Sequence, residues 1–286
     1  MIYWRSGEWR QDPVGVAIDD RGFLLGDAVF ETMLARGGRL AFLNQHIARL
    51  RGALDFLKIR VPIELNEISR LVGELLSRNS ITQGDASVRL TVTRGRAPRG
   101  LAPLAESETK PGVFLTAASA GPRLTLPMRV IISDHARPAG VASVRFKTPS
   151  YLENLLARRE AVEAGADDAI MKNPAGRIAC ASAANVFLIR GGAVLTPPVS
   201  DGALPGVVRG LILEAARDLE IEAREESLAP CDLDAGEIFL TNSILGLAPA
   251  ALAGSQPAMR SEIFTALGAC YDRLLNEDLA ARAGEA

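Results

Sequence analysis

Lys147 stands in VRFKTPSYLEN, between a strand-like run and a helix-like run. Most lysines are solvated surface charges. A lysine desolvated at a strand end has a lowered pKa and can form a Schiff base with a carbonyl. Pro205-Gly206-Val207-Val208 reads either as a helix start whose backbone N–H groups can bind a phosphate, or as a plain turn into an amphipathic helix. Thr241 to Ser243, in FLTNS, offers hydroxyls and an amide just beyond a buried strand. Arg49 lies on a helix face near Leu50, where an arginine is ordinarily an ion-pair partner. Arg94, Arg96 and Arg99 crowd TRGRAPRG, a Gly/Pro loop of the kind that meets carboxylates or phosphates or is simply solvated. Cys180, in GRIACASAANVFLI, is a bare thiol in an apolar run and reads by type as core filling.

The elements that must hold these residues alternate between strand and helix. MIYWRSGEW reads as a hairpin turning at Ser6 and Gly7, and AVFETMLARGGRLAFL as a second one turning at Gly37-Gly38. Asn44 is expected to cap a helix whose Ile47, Leu50, Leu54 and Leu57 share one face. ELNEISRLVGELLSRN is a second amphipathic helix, followed by the strands SVRLTVTRG and GVFLTAAS. AGPRLTLP is punctuated like a connector. Beyond it come the strand MRVIIS, a helix capped by Ser150 and stopped by Gly165, and strands at DAIMKN, IACASAANVFLIRG and AVLTPP. Pro205 and Gly206 open a helix, EIFLTNS is a buried strand, and a long helix from about Ser261 ends the chain. The expected architecture is mixed α/β in two domains: a small N-terminal domain over 1–119, a linker over 120–126 and a larger domain over 127–286.

Composition removes several function classes. The chain has 286 residues, 48% of them hydrophobic, and a net charge of −2, so it carries no basic excess for nucleic acid. No apolar run approaches the roughly 20 residues that span a bilayer, and the N-terminus lacks a signal-peptide layout. Three widely spaced cysteines suit reduced thiols in a cytoplasm, not a disulfide frame or a zinc site. Two histidines leave little material for a His-based metal centre or triad.

Taken singly, each candidate has an ordinary structural reading; their order along the chain is what is specific. LLGDAVFET, HIARL, VTRGRAPRG, KTPSYLENLLARREA, GADDAIMKNPAGRI, SAANVFLI, LTPPVSDGALPGVVR and EIFLTNS follow one another over about 22–249. This succession resembles the class IV, pyridoxal-phosphate-dependent aminotransferase family, which includes branched-chain and D-amino-acid aminotransferases and aminodeoxychorismate lyases. The resemblance implies a fold type IV enzyme of two domains with pyridoxal 5′-phosphate in the cleft between them, and a homodimer. It makes Lys147 the Schiff-base lysine and the proton shuttle on the substrate α-carbon, two needs that one amine can serve. It gives Arg49, the backbone of Val207 and Val208, and Ser243 to the cofactor phosphate. Tyr151 falls near the ring hydroxyl, and Arg99 matches the arginine that binds the substrate carboxylate in D-amino-acid aminotransferases.

Departures from the pattern are as informative. Ile-Thr-Arg usually follows the glycine where this chain has Val207-Val208-Arg209, so the phosphate cup lacks one hydroxyl, worth about 1–2 kcal/mol. Leu101 and Phe30 replace a histidine and a tyrosine of the D-amino-acid enzymes, so that carboxylate trap is partly kept. A glutamate that pairs with the pyridine nitrogen is expected where Cys180 stands. A thiol is a weak donor and uncharged in an apolar site, so it cannot hold the ring proton and the ring becomes a poorer electron sink. Three readings follow: an aminotransferase acting on an amino acid and a 2-keto acid, an aminodeoxychorismate lyase releasing pyruvate and 4-aminobenzoate, and a pyridoxal-phosphate-binding protein with little catalysis. The family as a whole favours transfer, Cys180 favours the lyase, and the retained Lys147, Arg49 and Tyr151 argue against a decayed site.

Overall fold

The computed structural model describes residues 1–11, 15–61, 64, 67–105, 108–124, 126–256 and 260–281. Leu65 and Asn66 of the expected second helix, and Thr125 of the expected linker, lie outside them. Two compact units are formed: Met1–Pro122 with Lys147–Ser150 and Leu275–Ala286, and Arg123–Phe146 with Tyr151–Leu274. Lys147 and Tyr151, four residues apart, therefore belong to different units.

The first unit is built on an antiparallel six-stranded sheet. Its strands are β1 (Ile2–Arg5), β2 (Glu8–Gln11), β3 (Ala28–Arg36), β4 (Arg39–Leu40), β5 (Asp85–Thr93) and β6 (Gly112–Ser119), in the order β2-β1-β6-β5-β3-β4. Both expected hairpins are present, and Ser6, Gly7, Gly37 and Gly38 all take the positive φ that such tight turns require. The short helix α1 (Arg21–Leu25) precedes β3 and buries none of its side chains. Helices α2 (Leu43–Leu57) and α3 (Ile68–Arg78) carry apolar stripes, of which Ile68, Leu71, Val72, Leu75 and Leu76 are buried at helical spacing. Asn44 is not the cap of α2. Phe42, in the left-handed region at φ 53°, starts the helix earlier, its N–H donates to Asp278 Oδ2 at 2.7 Å, and Asn44 falls inside the first turn.

The second unit holds an eight-stranded mixed sheet. Its strands are β7 (Met128–Ile132), β8 (Asp168–Lys172), β9 (Ile178–Ala181), β10 (Asn185–Arg190), β11 (Ala193–Thr196), β12 (Ala223–Glu225), β13 (Glu237–Asn242) and β14 (Gly246–Leu252), in the order β12-β11-β10-β13-β14-β7-β8-β9. The run expected as one strand at Cys180 is two strands, β9 and β10, joined by a turn in which Ala181 N–H donates to Ala184 O at 2.8 Å. Side chains from β7, β8, β9, β10, β11, β13 and β14 share one core, so the sheet curls around it. Helices α4 (Ala142–Arg145), α5 (Leu152–Glu163), α6 (Val207–Asp218) and α7 (Glu262–Ala281) complete the chain, the last turns of α7 counting with the first unit. Ser150 does not cap α5. Tyr151 flanks that helix without a side-chain cap, while Ser150 Oγ packs at Gly26, where a Cβ would come within 2.8 Å of it.

Phe187 and Phe239, facing each other across β10 and β13, stack at 4.8 Å and 10°, and Phe264 of α7 meets Phe239 edge-on at 5.6 Å. Phe239 is fully buried in both contacts. Phe239→Ala should therefore lower stability by about 3–5 kcal/mol. Chemical denaturation of the purified full chain checks this; a loss below ~1 kcal/mol would mean that the α7 contact does not stabilise the sheet.

Candidate active site

In the first unit, adjacent residues of β3 serve opposite faces of the sheet. Phe30 and Thr32 share a face with their partners Thr91 and Arg89 on β5, whereas Glu31 points the other way, to α2. The paired length of β4 reaches only Ala35 and Arg36, which leaves the start of β3 an open edge. There the Phe30 N–H donates to Lys147 O at 2.8 Å. That bond fixes the lysine beside the sheet, with Nζ 4.6 Å from the Phe30 ring centroid. The Arg89 guanidinium lies 3.5 Å from the same centroid and its Nε donates to Thr91 Oγ1 at 3.1 Å. An amine and a guanidinium thus share one aromatic ring.

Behind this face lies a buried charge knot. The Glu31 carboxylate accepts from His46 Nδ1 at 2.7 Å, Arg49 Nε at 2.8 Å and Arg49 Nη2 at 2.6 Å. Glu31 and His46 are each 1% exposed, and the Arg49 side chain 13%. Burial pushes the Glu31 pKa up, but the hydrogen bonds and charges of His46 and Arg49 more than reverse this and hold it at about 2. For His46, burial is the largest influence and lowers its pKa; Arg49 and Lys147 lower it further against the pull of Glu31. The ring is neutral, and its Nδ1–H is the donor to Glu31.

In the second unit, α6 begins at Val207 with Gly206 as an uncapped flanking residue. A twelve-residue helix start of this kind presents backbone N–H groups, here those of Val207 and Val208. A Cβ on Gly206 would collide with Asn185 Oδ1, so the approach of this turn to β10 requires glycine. Asn185 pairs across the sheet with Thr241, whose buried hydroxyl has no hydrogen-bond partner among the described residues. Asn242 accepts from the N–H groups of Ile244 and Leu245 and so shapes the turn that carries Ser243. Cys180 is buried on β9, and burial, the dominant cause, raises its thiol pKa; Arg137 opposes this and Asp168 adds to it. Arg137 donates to Gly202 O at 2.7 Å, and Asp168, itself buried, pairs with Arg158 at 3.1 Å and accepts from Ser182 Oγ.

The structure thus gathers Lys147, Phe30 and Arg49 in one unit, and Val207, Val208, Ser243, Tyr151 and Cys180 in the other. Arg99 is apart from the first group: it is exposed on its loop and has no hydrogen bond or ion pair among the described residues. Its neighbours are engaged, Arg94 with Asp27 at 2.6 Å and Arg96 with Asp19 at 2.8 Å. Sequence reasoning passed over Glu31, His46, Arg89 and Asn185, and reached Thr241 only as a hydroxyl at a strand end. Glu31 had a signal, an acid inside the apolar run AVFETMLA. Arg89 had none, because its partner Phe30 is distant in sequence.

Neutral His46 makes stability depend on pH. Unfolded, its pKa returns to 6.5; folded, it is lower, so below pH 6.5 the unfolded chain binds the extra proton and stability falls with pH. Glu31, moved from 4.5 to about 2, adds a second loss with the same sign between those values. The melting temperature should fall between pH 7 and about 5.5, and His46→Gln should flatten that fall. An unchanged slope in the variant would assign the loss to other groups.

The sequence matches the family described as amino-transferase class IV over residues 28–253. It is 33% identical over 237 residues to a Methanocaldococcus jannaschii protein provisionally named a branched-chain-amino-acid aminotransferase, covering 82% of this chain and 81% of that one. To the aminodeoxychorismate lyase of Bacillus subtilis it is 32% identical over 258 residues, covering 87% and 85%. The fold is similar to that of the Escherichia coli branched-chain amino acid aminotransferase, with a TM-score of 0.86, 23% identity and coverage of 97% and 95%. With the family matched across most of its length, the chain belongs to the class IV aminotransferases, fold type IV enzymes that work with pyridoxal 5′-phosphate.

Proposed function

We propose that this protein is an aminotransferase that moves an amino group between an amino acid, of branched-chain or D-amino-acid type, and a 2-keto acid, with pyridoxal 5′-phosphate as its cofactor. The observation that carries the reading is the shared ring of Phe30, with Lys147 Nζ at 4.6 Å and the Arg89 guanidinium at 3.5 Å. Amino acids and keto acids carry a carboxylate next to the carbon that reacts, so an amine for the reaction and a cation for the acid are both needed.

The donors present suit a phosphorylated aldehyde. Each unit by itself offers donors of the kind a phosphate dianion takes: the Arg49 guanidinium in the first, and in the second the uncapped N–H groups at Val207 and Val208, the Ser243 hydroxyl and the Thr241 hydroxyl, which has no partner among the described residues. When bound, the cofactor supplies a carbonyl that condenses with amines and a conjugated ring that accepts the electrons left at the α-carbon. Lys147 carries the cofactor and moves the α-proton. Phe30 screens one side of that amine from water. Arg89 and Arg99 are the candidate receptors of substrate carboxylate. Tyr151 is assigned to the ring hydroxyl, and Cys180 to the pyridine nitrogen.

A specific observation favours a second reading, aminodeoxychorismate lyase: the Cys180 thiol is buried and its pKa raised, so it meets the ring as a neutral group. Aromatisation of the product drives that elimination, and a weaker electron sink suffices. The protein is further proposed to act as a homodimer in the cytoplasm. The exposed Phe23, Leu24 and Leu25 of α1 give an apolar surface for a second copy, and Cys180, Cys231 and Cys270 are free thiols, as a reducing compartment keeps them. Among the described residues, no helix is long and apolar enough to cross a membrane.

Lys147→Ala should abolish both turnover and the visible absorption of the lysine-linked cofactor; a variant keeping either would overturn the assignment. Cys180→Glu places a carboxylate beside Arg137. It should raise transamination relative to elimination when an amino acid with a keto acid is offered in parallel with aminodeoxychorismate. An unchanged product ratio would remove Cys180 from the pyridine nitrogen.

A further inference from the structure

Glu31 lies on the face of β3 opposite to Phe30, and neither the sequence pattern nor the proposed chemistry uses it. Yet it is 1% exposed and ionised, in a mostly apolar strand. A lone carboxylate in such a place is strongly disfavoured unless its oxygens are occupied. Here they are occupied in a particular way. Oε1 takes the Arg49 Nε–H at 2.8 Å and Oε2 takes an Nη2–H at 2.6 Å, the side-on fork that fixes the plane of a guanidinium. His46 then donates to Oε2 at 2.7 Å. Because His46 is neutral, it orients the carboxylate without bringing a second cation that would compete for it.

The fork uses two of the five N–H donors of Arg49. Planarity directs the remaining three, on Nη1 and the outer side of Nη2, away from Glu31. The backbone under the knot is fixed as well, since β3 pairs with β5 from Ala28 to Arg36 while His46 and Arg49 sit one turn apart on α2. We propose that Glu31 is a positioning residue for cofactor binding: with His46 behind it, it locks the Arg49 guanidinium in the orientation that receives the phosphate. This rests on the reading of Arg49 as a phosphate ligand.

A guanidinium held in advance loses little freedom on binding, and a displacement of about 1 Å can weaken a site by an order of magnitude or more. The effect should be confined to the phosphate. The test compares pyridoxal 5′-phosphate with pyridoxal, which lacks it, by absorbance titration of the full-length protein freed of cofactor. Glu31→Gln should reduce the preference for the phosphorylated form by about tenfold and leave pyridoxal affinity within about twofold. Arg49→Gln should reduce the preference at least as much, and the double variant no more than Arg49→Gln alone. If Glu31→Gln does not fold, as judged by circular dichroism, Glu31→Asp is read in the same way, with a loss of several-fold because the fork is displaced by one methylene. A preference lost with Arg49→Gln but kept in the Glu31 variant would overturn the positioning role. A preference kept in Arg49→Gln would overturn instead the phosphate assignment on which the role rests. Equal weakening of both ligands by Glu31→Gln would make Glu31 a structural residue only.

Discussion

An ionised carboxylate buried in the middle of a strand is the constraint on which the first unit depends. Glu31 cannot be hydrated, so its neighbours must supply what water would. This dictates an arginine and a hydrogen-bond donor on the helix that covers β3, three residues apart so that both face the sheet. His46 and Arg49 meet the requirement, and α2 is thereby fixed in rotation and register against β3. A purely apolar interface would bind the helix without specifying its position so narrowly. The same strand carries Phe30 on its other face, so the alternation of side chains puts the charge knot on one face of the sheet and the ring that Lys147 Nζ approaches on the other.

Lys147 is held at that face through its backbone. Its carbonyl occupies the Phe30 N–H at the open edge of β3, an edge left over because β4 is only two residues long. The short edge strand is therefore a positioning device. Had β4 continued antiparallel along β3 to Phe30, the ladder would have consumed the donor that anchors the lysine.

Much of the architecture was legible because it is local. Two hairpins announce themselves by positive-φ turns, α3 by apolar residues at helical spacing, and α6 by the Pro-Gly that precedes it. Errors fell where distant partners override local preference. Asn44 is a good cap by type, but Asp278, more than 200 residues away, serves the Phe42 N–H and moves the helix start. Ser150 Oγ likewise lies close against the Gly26 turn. β14 escaped notice because GLAPAAL has few of the β-branched residues that mark a strand; its pairing with β13 and β7 makes it one. The family pattern supplied the names of Lys147, Arg49 and Cys180. It could not supply Arg89, or the standing of Thr241 beyond a strand-end hydroxyl; the significance of each lies in a ring beside one and, on the other, a buried hydroxyl without a partner among the described residues.

Cys180 shows the reverse solution to that of Glu31. At one buried position the chain keeps a charge and surrounds it with donors; at the other it dispenses with the charge. The neighbours explain why the second course is tolerated. Asp168 is already a buried carboxylate close enough to raise the Cys180 pKa, and it is satisfied by Arg158, Ser182 Oγ and the Ala169 N–H. A carboxylate at 180 would sit within the field of that anion and depend on Arg137 to offset it, while Arg137 is also engaged with Gly202 O. The thiol avoids the like-charge repulsion and packs as a small apolar group in one cluster with Met171 and Ala157. On the proposed reading, what it gives up is the ability to hold a proton on the pyridine nitrogen. That reading then asks more of Lys147 as proton carrier and less of the electron demand of a protonated ring.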